Sequence, residues 1–546
     1  MKKLAVALLA ICLLMTTIAG GVGAIAEDET VKFTFGVIDD PVVTDWETNY
    51  LSLYIEEKVG VDLEFVLLPY NDAERLQKLE MMVTAGGADL PDIIMGSLDF
   101  ATAQAYGAMG MLVPLNDYVD NMPLLDESLA AMIASPVSKE EYLRYCTSND
   151  GNIYGLGGVS MTPNNSVSGC RIMVYGPWKE AFLEATGAED IITTEDFKDY
   201  LIFVRDNDMN GNGDPNDEVP LTGFNPNSFN NNFTKGLMNP FVYTQDNFYI
   251  NNEGTIEFAA IQDGWKEGIE YIKSLYDEKL FSSMAITQDR TSFNSQVSTD
   301  PTTVGAFAWI STSNLATTDP RREEYVIVGA LEGPEGIRQA CVYPNIPSSI
   351  YIAVSKNCKD IEKAVEVIDV IASPEFQIIN RYGIEGENWI SLTGDDIGTS
   401  MYASMGFPGD KLTTKNIYGT ENNVQWQGHI LVFNDGSTYT LREKDISVEG
   451  TYNHSRAIGA GITKELDYRN TENAVFGLLF TDEESAVITE YRAIINSTVQ
   501  EMFAKFITGE IDVEEGWDAY VTSLYDMGLE TYLGAVQSAW DRLNAN

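Results

Sequence analysis

Oxygen-bearing side chains fall on alternate positions at Asp206, Asp208, Asn210, Asn212 and Asp214, around Gly211 and Gly213, and the pair Asp217-Glu218 follows. A short backbone folds around a hard cation in this way: alternate side chains turn inward, glycine permits the sharp turn, and a late acid closes the shell. The stretch 206–218 therefore reads as an EF-hand-like calcium loop. Two registers fit it. In one, Asp206, Asp208 and Asn210 lead and Asp217 is the closing acid. In the other, Asp208, Asn210 and Asn212 lead, the Asp214 carbonyl follows, and Asp217 and Glu218 close. A solvated Asn/Asp/Gly turn has the same composition. The chain has no partner EF-hand, so a structural Ca2+ is expected rather than a sensor.

Catalytic chemistry has fewer footholds. Only two histidines exist, His429 and His454. Neither has the spacing of a zinc helix motif or a nucleophile partner. Among 82 Asp and Glu residues no spacing nominates a glycosidase pair. The formal net charge of −48 becomes about −50 once Lys2 and Lys3 are removed, a field that repels nucleic acid and anionic lipid.

That removal is expected from the N-terminus. Met1-Lys2-Lys3 precedes an apolar run over 4–20, and Ala24-Ile25-Ala26 makes a small-residue cleavage site. This is the pattern of a secretory signal peptide cut after Ala26. The apolar run barely reaches the length of a membrane span. Cys12 follows Ile11, where a bacterial lipobox needs a small residue, so no lipid anchor is expected there. The mature chain of about 520 residues has room for two cores. Its four cysteines, Cys146, Cys170, Cys341 and Cys358, match no zinc spacing and allow three disulfide pairings or free thiols.

The elements that must position these groups follow from periodicity. Alternation over 31–37 and the run 61–68 read as strands, with a helix over 46–58 between them. Asn71 and Glu74 suit a capping box opening a second helix that ends at Gly86-Gly87, and Pro91-Asp92-Ile93-Ile94 begins a third strand. Strand and helix alternating this closely argue for a parallel sheet with covering helices. A second α/β unit begins near Arg171, and Thr193 with Asp196 caps a helix that leads into the acidic loop. Further helices are expected over 264–278, 361–371 and 482–543, and strands over 304–309 and 349–354. The span 390–455 is poorly patterned.

The order of these pieces resembles the extracellular solute-binding proteins of ABC importers, in the branch that includes alginate-binding and other oligosaccharide-binding proteins. The residues that carry the resemblance begin with Gly87-Ala88-Asp89-Leu90-Pro91-Asp92-Ile93-Ile94, Leu112-Val113-Pro114-Leu115 and Asn152-Ile153-Tyr154-Gly155-Leu156. They continue with Asp217-Glu218-Val219-Pro220, Gly264-Trp265-Lys266-Glu267-Gly268 and Tyr382-Gly383-Ile384-Glu385-Gly386-Glu387-Asn388-Trp389. Phe506-Ile507-Thr508-Gly509-Glu510 and Trp517-Asp518-Ala519-Tyr520 complete the series. Each is weak alone, but together they span nearly the whole mature chain. Many relatives in single-membrane bacteria are lipoproteins, and the missing lipobox departs from that pattern.

The resemblance implies an α/β fold of periplasmic-binding-protein-like type II: two α/β lobes with an interlobe cleft and a helical C-terminal region. It places the first lobe at 27–155 plus 343–385. The second lobe is placed at 156–342, carrying the calcium loop, plus 386–546. It favours the second register of the loop, because the acid pair directly precedes Val219-Pro220. The implied function is that of a monomeric extracytoplasmic protein, not an enzyme, that captures a solute and hands it to an ABC permease. The solute is expected to be an oligosaccharide, with a peptide as the alternative and a secreted glycoside hydrolase as the rival class. Sugar sites stack aromatic faces on pyranose rings. Trp309, ending a strand where maltose-binding relatives present an aromatic, is the first candidate, followed by Trp389 and Trp426. Trp46, Asn49 and Tyr50 follow the first strand at the expected cleft edge, and Ser97 and Asp99 follow the third, in the crevice open sheets use.

Overall fold

The computed structural model describes residues 30–132, 137–160, 171–214, 216–224, 232–244, 247–309, 312, 314–316, 318–342, 346–347, 349–393, 411–415, 417–427, 430–434, 464–465 and 467–545. The leader, Cys170, His429 and His454 lie outside them. No helix among the described residues is long and apolar enough to cross a membrane.

The chain lays down β1 (Val31–Ile38), β2 (Val61–Leu68) and β3 (Ile93–Leu98), with helices Tyr50–Val59 and Asp72–Thr84 between them. It then forms β4 (Ile172–Tyr175), β5 (Val219–Thr222), β6 (Val304–Ala308) and β7 (Tyr325–Ile327), and returns as β8 (Ile350–Val354). Two sheets result. The first has order β8-β3-β1-β2, with β1 parallel to both β2 and β3, and β8 antiparallel to β3. The second has order β7-β4-β6-β5, with only β5 and β6 parallel.

Local signals explain the elements. Asn71 caps its helix by accepting from the Ala73 and Glu74 N–H groups, and Thr193 with Asp196 forms the full capping box of helix Thr194–Asp206. Helix Pro123–Ala131 has no cap of its own. The Asp369 carboxylate of helix Ile361–Ala372 instead accepts from Leu124 and Leu125 N–H at 3.2 and 2.8 Å. The tail is three helices, Asp482–Thr508, Val513–Asp526 and Leu529–Ala545, packed against the second sheet's core through Ile495, Val499, Phe506, Trp517 and Tyr532.

Each sheet has its own core. In the first, Trp426 is 1% exposed, and its ring meets Phe35, Trp46, Phe65 and Phe376 at centroid distances of 5.4–6.0 Å. This corrects the sequence expectation that everything after 386 belongs to the second unit. Trp426, Ile430, Leu431 and Phe433 are buried in the first core. Phe433-Asn434 also pairs in parallel with Val159-Ser160. Passage to the second unit therefore falls after 434 and before Lys464, whose ammonium meets Asp190. Cys146 and Cys358 are buried free thiols, and Cys341 is buried with its Sγ 3.2 Å from the Thr244 carbonyl.

Candidate functional site

Strand register locates the crevice. Ile350, opening β8, pairs with Leu98 at the end of β3, so the returning chain meets the first sheet at the carboxyl ends of its parallel strands. In the second sheet Ile172, opening β4, pairs with Ala308 at the end of β6, and Ile327, ending β7, pairs with Met173. The connections between the units thus join the carboxyl ends of the parallel pairs in both sheets. Open α/β sheets bind ligands outside those ends, where the loops diverge. A cavity of about 210 Å³ opens there, lined by Asp99, Phe100, Gln104 and Asn149 from the first unit and by Leu478 and Phe480 from the second. A larger hollow of about 1050 Å³ lies at the opposite, amino ends of β1 and β2, beside Asp92 and Asp360. Its walls come from the first unit alone, so size does not make it the crevice.

The structure divides the sequence candidates. Trp309 follows β6 at the crevice end, partly exposed, with Phe224 4.7 Å from its ring and the Arg290 guanidinium 5.3 Å above it. Its indole N–H is buried without an acceptor. Beside it Gln288 Nε2 donates to Thr222 Oγ1 and the Gly223 carbonyl, which fixes the rim at the end of β5. Asp99 stands directly after β3 and caps helix Phe100–Ala108 through Thr102 N–H at 2.8 Å, while lining the cavity. Tyr50 is 41% exposed at the start of its helix. Ser97 is in β3, and its side chain lies outside the described residues.

Four candidates are packing residues instead. Trp426 and Trp46 fill the first core, and the Trp426 indole N–H donates to Ser52 Oγ at 3.1 Å. Trp389 is 7% exposed and donates to the Gly383 carbonyl at 3.0 Å, closing its own turn. Asn49 is fully buried, accepting from Leu51 N–H as a helix cap and donating to the Gln425 carbonyl. An indole whose faces and N–H are all satisfied inside a core offers nothing to a sugar ring. Sequence reasoning missed the apolar segment 474–480, Ala-Val-Phe-Gly-Leu-Leu-Phe, which forms the second unit's wall of the cavity. Its one signal was apolar residues carrying neither helical nor strand periodicity.

The acidic loop lies at the far end of β5 from the crevice, because it feeds Val219 while Thr222 ends at the rim. Gly211 and Gly213 hold φ of 70° and 90°, as the turns require. Asp208 accepts from Asn212 and Gly213 N–H at 3.2 and 2.9 Å. Glu218 Oε1 accepts from Met209 N–H at 2.8 Å, and its Oε2 is buried with no partner. Burial pushes the Glu218 carboxyl up despite those donors. Asp206 is turned away: Arg205 takes both its oxygens, at 2.7 and 3.0 Å, and holds it below the usual carboxylate range. The Asp214 carboxylate is spent on Asn216.

These residues fit a calcium ion. Among the described residues no three His, Cys, Asp or Glu side chains form a metal cluster, so the donor set has to be mixed. The Asn210 and Asn212 amide nitrogens donate to Asp217 at 3.2 and 2.7 Å. Their amide oxygens accept from Asn212 and Asp214 N–H at 3.0 and 2.7 Å, and each keeps a second lone pair for a cation. The orphaned Glu218 oxygen and the carboxylates gathered at a helix C-terminus both call for positive charge.

No family model matches the chain. The fold, two α/β units with a crevice between them and a helical tail, is similar to that of solved ABC-transporter solute-binding proteins. The chain is 24% identical over 510 residues to the fructooligosaccharide ABC transporter substrate-binding protein FusA of Streptococcus pneumoniae, covering 90% of this chain and 86% of FusA. The solved structure of FusA with kestose matches with a TM-score of 0.62 at 20% identity, over 94% of this chain and all of that one. A further FusA structure is described as an EF-hand mutant. An HMO-binding, ABC-transporter-associated solute-binding protein from Bifidobacterium longum infantis matches with a TM-score of 0.71 at 16% identity, over 94% and 99% of the two chains. The resemblance read from the sequence motifs therefore holds over nearly the whole chain.

Proposed function

We propose that this protein is the extracytoplasmic substrate-binding component of an ABC importer, taking an oligosaccharide into the crevice and delivering it to a membrane permease. The observation that carries the reading is the register argument: both sheets turn the carboxyl ends of their parallel strands to the segments that join the units. Kestose in FusA and HMO in the Bifidobacterium protein support a sugar over a peptide. Trp309, Asp99 and Tyr50 are the sequence candidates we assign to the crevice. Phe480 and Asn149 join them from the cavity wall. The basic N-terminus, apolar run and Ala24-Ile25-Ala26 site support export, and the protein acts as a monomer without turnover.

The acidic loop holds one structural Ca2+ in the second register, with Asp208, Asn210, Asn212, the Asp214 carbonyl, Asp217 and Glu218 as ligands. Diversion of Asp206 to Arg205 supports that register over the first. The ion supplies positive charge to a loop that joins a helix to the edge strand β5, and it takes no part in recognition. Thermal-shift screening against fructo-, milk- and uronate oligosaccharides and peptides, with product analysis, tests the function. A stabilising oligosaccharide recovered intact is expected. Stabilisation by peptides alone, or cleaved sugar, overturns the reading.

A further inference from the structure

The segment 474–481 is anchored twice in the second unit. At one end Asn473 exchanges hydrogen bonds with Ile250, its amide donating to the Ile250 carbonyl and its carbonyl accepting from Ile250 N–H. At the other, Thr481 caps helix Asp482–Thr508, and Arg542 donates to the Leu479 carbonyl while paired with Glu484. Between these anchors the segment forms no helix or strand, and it bears on the first unit at two points. Gly477, at φ 70°, lies flat beneath the Tyr145 ring: a Cβ there would stand 2.3 Å from Tyr145 Cε1. Tyr145 is 5% exposed, held by Phe476 on the strap and by Arg144, whose guanidinium lies 5.0 Å from its ring. Asn149, fixed because its N–H donates to Gln104 Oε1, donates from its side chain to the Phe480 carbonyl at 3.0 Å.

From this we infer that the segment 474–481 is a strap that sets the angle between the two units, with the Tyr145–Gly477 contact and the Asn149–Phe480 hydrogen bond as its two bearings. Both anchors move with the second unit and both bearings sit on the first. Any rotation of one unit on the other must slide Tyr145 and Asn149 along the strap. Packed contacts of this kind favour discrete arrangements over continuous ones. The strap is also one wall of the cavity through Leu478 and Phe480, so the same residues sense what enters and how far the units close.

The test reads inter-unit distance without any ligand, so it stands apart from the functional reading. Spin labels are placed at Glu57→Cys and Glu530→Cys, both exposed, in a Cys170→Ser background, and distances are measured by double electron–electron resonance. Gly477→Ala forces the Tyr145 ring back by about 1–2 Å to reach ordinary carbon contact. A shifted inter-unit distance is expected, and adding Tyr145→Ala abolishes that shift and leaves a broader distribution centred on the parent distance. An unchanged distance in Gly477→Ala, or a shift that survives Tyr145→Ala, overturns the proposal. Should Gly477→Ala fail to fold, Asn149→Ala, which adds no atoms, is expected to broaden the distance distribution. An unchanged distribution in a folded Asn149→Ala protein overturns the proposal as well.

Discussion

Calcium removal should loosen the second unit and leave recognition untouched. A ligand that binds only the folded state stabilises it by RT ln(1 + [L]/Kd). Extracellular calcium modules bind at about 10⁻⁴–10⁻³ M, so 10 mM calcium contributes about 1.4–2.7 kcal/mol. The structure gives a figure of the same size independently: the buried, unpartnered Glu218 Oε2 costs about 1–3 kcal/mol when nothing meets it. A unit of 150–250 residues shifts its Tm by about 2–4 °C per kcal/mol, so the ion is worth about 3–10 °C. The assay is differential scanning calorimetry in 10 mM calcium against chelator, on the parent and on Asp208→Ala. Asp208→Ala lowers the baseline by losing two N–H acceptor contacts and abolishes the difference between calcium and chelator. Oligosaccharide affinity, measured below both transitions, stays unchanged because the loop and the rim occupy opposite ends of β5. A calcium shift that persists in Asp208→Ala would refute the ligand set. Loss of sugar binding on chelation without loss of Tm would refute the staple.

Three further outcomes follow from packing and charge. Trp426→Ala removes a ring from the first core and should cost about 3–5 kcal/mol in denaturant unfolding, whereas Trp309→Ala should weaken sugar binding about twofold to tenfold with little loss of stability; reversed effects in calorimetric titration and unfolding would show the division of tryptophans to be wrong. Arg171 and Glu465 pair at 3.0 Å with side chains 0% and 5% exposed; Glu465→Ala removes one charge partner of the buried guanidinium and should destabilise the fold by up to about 3–5 kcal/mol, and replacing both partners with methionine should recover most of that loss. Burial alone would raise the Asp190 carboxyl, but its ion pairs with Lys179 and Lys464 hold it at about 2, below the ordinary carboxylate range. A depressed folded value means stability that is present above the unfolded pKa and is lost as pH falls from about 4 toward 2. Solvent screening at this half-open site limits the contribution to about 1 kcal/mol, so Asp190→Asn should flatten that part of the acid-unfolding curve.

The sequence by itself determined the local elements. Period-two alternation located β1 and β2 to within a residue, and the capping residues at Asn71 and Thr193 fixed two helix starts. Such signals act over a few residues, where backbone sterics and side-chain capping dominate. The proposed calcium loop was legible for the same reason, since all its candidate donors lie within eleven positions of one another. The loop's register was not fixed by spacing alone: Asp206 and Asp208 look alike until Arg205 is seen taking both oxygens of Asp206. Tertiary structure likewise divided the tryptophans, because Trp309 and Trp426 differ in which elements close over them: Phe224 and Arg290 over the first, and Phe35, Trp46, Phe65 and Phe376 over the second. It carried Val424, Trp426 and residues 430–433 back to the first core, and it made the unpatterned stretch 474–480 the second unit's wall of the cavity. Stacking, burial and the angle between units are set by contacts between distant segments, and no local pattern of residue types encodes those.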